Sequence, residues 1–144
     1  MSGWLLDTNV VSELVKGEKG DRGVREWVEK VDERDLHLSV ITLGEIAKGI
    51  DRAQSAGRAM VMQRHFLEHA LPERFGERIL PFGAAAAVTW GHILQGLRGD
   101  DERRLAIVAQ IAATAKVADL QVCTRNVRDF QRLGSGPVVN PFSS

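Results

Sequence analysis

The 144 residues are the length of one domain, long enough to bury most of their apolar surface and too short for a second independent one. A composition of 44% hydrophobic and 26% charged residues is ordinary globular usage and excludes a disordered chain. Because 19 basic residues face 19 acidic ones, net charge gives no general attraction to a polyanion, and nucleic-acid contact has to come from a local basic patch.

A single Cys123 excludes an internal disulfide, no Cys/His group has zinc-ligand spacing, and a reducing cytoplasm is the expected compartment. Met1 to Asp7 carries no basic segment ahead of a long apolar stretch, and no window approaches the ~20 apolar residues that span a bilayer.

Gly3 to Leu6 is a short apolar run stopped by Asp7-Thr8-Asn9, after which Val10, Val11 and Leu14 take helical spacing: strand, turn, helix. Gly17 to Gly23 is a Gly- and charge-rich loop, and Val24, Trp27, Val28 and Val31 then mark one face of an amphipathic helix. Leu36 to Val40 reads as a strand. Thr42 begins a helix to about Ala56, and Arg58 to Phe75 continues as a second, a helical hairpin with Ile46, Ile50, Met60, Phe66 and Leu67 on buried faces. Arg78 to Leu80 is a third strand. Ala84 to Leu97 and Glu102 to Val117 are helices, the latter apolar all round and so expected to be buried. Leu120 to Cys123 and Pro137 to Val139 supply the last strands.

Short apolar strands alternating with helices imply a parallel sheet covered on both faces. Ligands bind such sheets at the carboxyl ends of the strands. Asp7 follows the first strand, Glu45 lies in the first turn of the helix after the second, and Asp129 follows the fourth, so all three are expected to converge on one edge. Grouped carboxylates repel one another unless a cation sits between them, and hard oxygen donors suit Mg2+ or Mn2+. Such a cation supports phosphodiester hydrolysis. Each acid also has a simpler use. Asp7 or Thr8 suits a helix cap, Thr42-Leu43-Gly44-Glu45 fits a capping box, and Asp129 beside Arg125, Arg128 and Arg132 suits a solvated turn.

Taken together the segments are more specific. Leu5-Leu6-Asp7-Thr8-Asn9-Val10-Val11-Ser12-Glu13-Leu14, Leu38 to Ile46, Ile111-Ala112-Ala113-Thr114-Ala115, Thr124-Arg125-Asn126-Val127-Arg128-Asp129-Phe130 and Val139-Asn140-Pro141-Phe142 resemble, in order and spacing, the PIN-domain toxins called VapC of bacterial type II toxin–antitoxin pairs. The likeness spans nearly the whole chain and implies one PIN domain over 1–144: an α/β/α sandwich with a central parallel sheet and a protruding helical hairpin. It implies a Mg2+- or Mn2+-dependent endoribonuclease, a homodimer, and inhibition by a VapB-type antitoxin whose C-terminal segment crosses the groove near the hairpin. By position it makes Asp7, Glu45 and Asp129 the catalytic, metal-holding acids and Thr8, Asn9, Thr124 and Asn126 their polar support. The RNA target, tRNA, rRNA or mRNA, has no readable code here.

One departure stands out. Where the family carries a further acid ahead of Ala109-Gln110-Ile111-Ala112-Ala113-Thr114-Ala115, this chain has Val108, and Gly83 stands where an Asp is common. Glu102 lies six residues earlier, roughly 9 Å along a continuous helix, and Gln110 is expected on another face, so neither replaces the acid. The expectation is weakened metal affinity and reduced nuclease activity; the rival is an impaired PIN domain that binds antitoxin and RNA without cutting. DNA-repair and flap nucleases of this kind carry more acids and longer insertions.

Arg125, Arg128 and Arg132, spaced by three and four residues, are candidate phosphate contacts, Arg125 and Arg128 foremost. Nothing aromatic is interleaved with them to stack bases. Trp27 and Trp90 are expected in the core, and Trp4 near a sheet end or subunit contact. His65 and His69 form an i, i+4 pair without a third ligand.

Overall fold

A computed structural model describes residues 3–143, so Met1 and Ser2 of the N-terminal reading lie outside the described residues. The strands are β1 (Trp4–Leu6), β2 (Leu36–Ser39), β3 (Ile79–Leu80), β4 (Gln121–Cys123) and β5 (Val138–Val139). All pairs are parallel, in the order β3-β2-β1-β4-β5. The chain builds outward from β1 in one direction and then, from β4, in the other. The order therefore reverses between β1 and β4, which opens a crevice at their carboxyl ends.

The helices are α1 (Thr8–Val15), α2 (Arg22–Lys30), α3 (Val40–Ser55), α4 (Val61–His65), α5 (Leu71–Phe75), α6 (Ala84–Gln95), α7 (Gly99–Arg104), α8 (Ala106–Ala118) and α9 (Val127–Arg132). Neighbouring strand residues point to opposite faces. Leu5 and Val122 accordingly join one core with Ala109, Ile111, Ala112, Phe130 and the α6 side chains Trp90 and Leu94. Leu6 and Cys123 join the other with Val10, Val11, Val24, Leu71 and Phe75. Helices cover both faces, and the expected α/β/α sandwich is found. Trp4 meets Trp27 edge-on at 5.2 Å between ring centres, so Trp4 belongs to the second core.

Three differences from the sequence expectation bear on the site. The helix expected from Thr42 starts at Val40, because Ser39 caps it by accepting a hydrogen bond from the Ile41 N–H at 3.0 Å. Thr42 is then inside the helix, and the capping-box use of Thr42 and Glu45 does not occur. The second hairpin helix begins at Val61 rather than Arg58 and passes through a wider π turn at Phe66–Ala70. The apolar helix from Glu102 is broken at Leu105, whose ψ of 4° leaves the helical region between α7 and α8. Glu102 thus stands on a separate helix from Val108. Ile107 is exposed, so α8 is not buried all round.

Phe130 is fully buried, and its carbonyl accepts hydrogen bonds from both the Ser135 N–H and hydroxyl. Truncating so large a core side chain leaves a cavity. Phe130→Ala is expected to cost about 3–5 kcal/mol, read as a lower urea midpoint at unchanged slope; a shift under about 1 kcal/mol counts against tight packing of α9.

Candidate active site

Asp7 follows β1 directly and caps α1, so one residue serves two purposes. Its main-chain N–H donates to the Cys123 carbonyl at 2.9 Å, prolonging the ladder, while its carbonyl accepts from Val10 and Val11. Its Oδ1 accepts the Thr8 N–H at 2.8 Å. Its Oδ2 accepts the Thr124 hydroxyl at 2.7 Å and the Asn9 amide at 3.2 Å. The capping expectation and the site expectation for Asp7 are therefore compatible.

Thr124, the residue after β4, is fully buried and accepts the Asn126 N–H at 2.8 Å. With that lone pair occupied, its proton is directed to Asp7. Asn9 closes the same corner, since its side-chain oxygen accepts the Arg125 N–H at 3.2 Å. The edges of β1 and β4 are thus fastened together by side chains far apart in sequence.

Glu45 arrives from the second turn of α3. Its Oε1 accepts the Thr8 hydroxyl at 2.7 Å, and that hydroxyl also touches the Thr42 hydroxyl at 3.1 Å. A threonine has one proton, so Thr8 gives it to Glu45 and receives one from Thr42. Thr42, fully buried, was hidden in the sequence by its fit to a cap. The early start of α3 moves Glu45 off the helix terminus and onto the face that meets α1.

Burial raises the Asp7 carboxyl above its ordinary range, hydrogen bonds from Thr124 and the Thr8 N–H oppose that rise, and the charge of Glu45 adds to it. Two acids that disturb each other across one threonine are a place for a cation. Nearby Cys123 is buried, and its thiol is pushed up to about 12 by burial and by Asp7, so it is inert at neutral pH.

Asp129 does not join Asp7 and Glu45 as expected. It lies in the first turn of α9, where its Oδ2 meets Arg104 at 3.4 Å. Among the described residues no three His, Cys, Asp or Glu side chains stand within reach of one metal ion. The break at Leu105 turns α7 so that Arg104 faces α9, a placement no helical periodicity signals. The Arg125 guanidinium carbon sits over the Phe142 ring, 4.0 Å from its centre. Arg128 is exposed, and Arg132 pairs with Asp101 at 2.6 Å.

Val108 is half-buried against the core that contains Leu5 and Phe130. Gln110, on a different face of α8 from Val108 as expected, shares a groove with Glu45, Lys48 and Ile107. His65 and His69 are both exposed on the hairpin, with ring centres 4.9 Å apart and planes tilted by 37°. No helix among the described residues is long and apolar enough to cross a membrane.

Comparison with known proteins identifies the family and the fold. The family model of the PIN domain matches residues 4–135. Over 138 residues, 96% of either chain, the sequence is 31% identical to the VapC ribonuclease Y4jK of Sinorhizobium fredii. It is 32% identical to the toxin FitB of Neisseria gonorrhoeae over 126 residues, 88% of this chain and 89% of FitB. The crystal structure of FitAcB from that organism superposes with a TM-score of 0.78 at 29% identity, covering 96% of this chain and 97% of the other. DNA-bound VapBC from Salmonella typhimurium shares the fold, with a TM-score of 0.67 at 24% identity and coverage of 97% and 98%.

Proposed function

We propose, from the premise that this chain belongs to the PIN-domain family as a VapC-type toxin, that it cuts RNA at a cation held by Asp7 and Glu45. It is the toxin ribonuclease of a type II toxin–antitoxin pair, and its partner is a VapB-type antitoxin. One observation carries the reading of the site: Asp7, Thr8 and Glu45 form a bonded chain at the crevice where the sheet order reverses.

The donor set fits Mg2+ or Mn2+. Asp7 Oδ1 accepts a single hydrogen bond, and Glu45 Oε2 accepts none among the described residues, so each acid keeps a lone pair for a hard cation. When bound, the ion lowers the pKa of an attacking water and stabilises charge on the phosphate. Thr124 and Asn9 hold the Asp7 carboxylate in one rotamer, and Thr8 does the same for Glu45. Asp129 is the third acid of the reading, held by Arg104 in the state described. Asn126 ties Thr124 through its main-chain N–H, while Arg125 and Arg128 offer guanidiniums to the RNA backbone.

The antitoxin segment is placed in the groove between α1, α3 and α4, lined by Ser12, Ile46, Ile50, Met60 and Phe66. Exposed Val61 and Met62 extend its rim. A basic side chain there replaces the cation beside Glu45. The remaining parts of the proposal are one domain over 1–144, the cytoplasm as its compartment and a homodimer, for which exposed Val88 and Val117 offer apolar surface.

The deciding experiment is calorimetric titration of Mn2+ into antitoxin-free protein, with Glu45→Gln as control. Saturable binding to the parent that weakens at least ~10-fold in the control is expected. A folded parent that takes up no Mn2+ at millimolar concentration overturns the metal reading.

A further inference from the structure

A polar cleft opens between α7 and α9, lined by Arg104, Asn126, Arg128, Asp129, Gln131 and Arg132. Five of these six side chains present N–H donors, and only Asp129 is acceptor-only when ionised. A cleft so furnished selects an anion with several acceptor oxygens. Arg104 is more than half exposed, at 55%, and its two ionic contacts are long, 3.4 Å to Asp129 and 3.7 Å to Asp101. Most of its five donors are therefore unspent. Asp101 also holds Arg132 at 2.6 Å, which aims both guanidiniums across the same opening. Exposed ion pairs of this kind orient side chains without binding them tightly, so a phosphate readily takes them over.

We infer that this cleft is a phosphate subsite for the RNA strand beside the cleavage point, with Arg104 as its grip. The inference rests on the ribonuclease reading and deepens it. Arg104 and Arg132 fork around one phosphate, Arg128 covers it from α9, and the amides of Asn126 and Gln131 fill the remaining oxygens. As the phosphate enters, Arg104 passes to it from Asp129. The Asp129 carboxylate is thereby released from its guanidinium only when RNA is present.

The test is binding of a 12-nucleotide single-stranded oligouridylate in EDTA, followed by fluorescence anisotropy over a range of salt. Each phosphate contact on a single strand contributes about 0.7 to the slope of log affinity against log salt. Arg104→Ala is expected to reduce the slope by about that amount, while Arg104→Lys keeps it. Arg103→Ala removes the same charge from the same helix, but Arg103 pairs with Asp100 and does not line the cleft, so its slope is expected to match the parent. An unchanged slope in Arg104→Ala, or an equal loss in Arg103→Ala, overturns the subsite. Cleavage by those variants in Mg2+ then leaves the ribonuclease reading standing, whereas a parent that neither binds the oligomer nor cuts RNA removes both.

Discussion

Asp7→Asn is expected to cut RNA more than ~100-fold more slowly than the parent while keeping the parent fold. Loss of a group that merely supports a metal ligand costs roughly 10–100-fold, so loss of a ligand that also anchors two strand ends costs more. The same substitution separates the price of the site from its use. Burial and Glu45 raise the Asp7 carboxyl, so the folded protein holds that proton more tightly than the unfolded chain does. The protonated form thus favours folding, and this contribution is fully present below the unfolded value near 3.8 and is lost as pH rises through the raised value. Measured by urea melts without metal, the stability of the parent relative to Asp7→Asn is expected to grow as pH falls from neutrality and to level off below the ordinary aspartate range. Adding Mg2+ at neutral pH is expected to stabilise the parent and leave the variant unmoved. A stability difference that ignores both pH and Mg2+ contradicts a cation at Asp7.

Val108→Asp is expected to raise Mg2+-dependent cleavage at least ~10-fold, by supplying the acid that the resemblance to VapC toxins implies for that position. The gain comes with a loss. Val108 is half-buried against the Leu5 and Phe130 core, where an unpaired neutral polar group costs about 1–3 kcal/mol and an unpaired carboxylate more. The variant is therefore expected to be less stable than the parent in EDTA and to recover in millimolar Mg2+. Lower stability in EDTA with neither recovery nor faster cleavage shows that Val108 does not face the metal and that the vacant position lies elsewhere. Gln110 is then the residue to change, because it shares the groove with Glu45.

The parallel sheet was legible because each strand is a short apolar run that stops at a polar residue, as Leu5-Leu6 stops at Asp7 and Val122-Cys123 stops at Thr124. Those stops are local, and locality is what periodicity reads. The resemblance implied Thr8, Asn9 and Thr124 as support for the site, and in the structure the Thr8 main chain and the Asn9 and Thr124 side chains donate hydrogen bonds to Asp7. What stayed hidden depended on competition between local options. Ser39 and Thr42 are both able to cap α3; Ser39 does so, and Thr42 is left to support Thr8. The helix break at Leu105 falls where the charged run Asp100 to Arg104 meets the apolar run that follows, with no Gly or Pro to mark it, so neither the turn of α7 nor the contact of Arg104 with Asp129 leaves a mark in the spacing. Arg125 found its aromatic partner 17 residues downstream, beyond any helical repeat.

The hydroxyl that orients Asp7 belongs to a residue 117 positions later in the chain. Synthesis at about 5–20 residues per second separates the two by on the order of ten seconds. Throughout that interval a growing chain carries Asp7 and Glu45 without the strand that fastens them, so the crevice stays unclosed until Thr124 has been made. The long-range stitch is thus a clock as well as a brace: Asp7 is held in place only after β4 has been made and has joined β1.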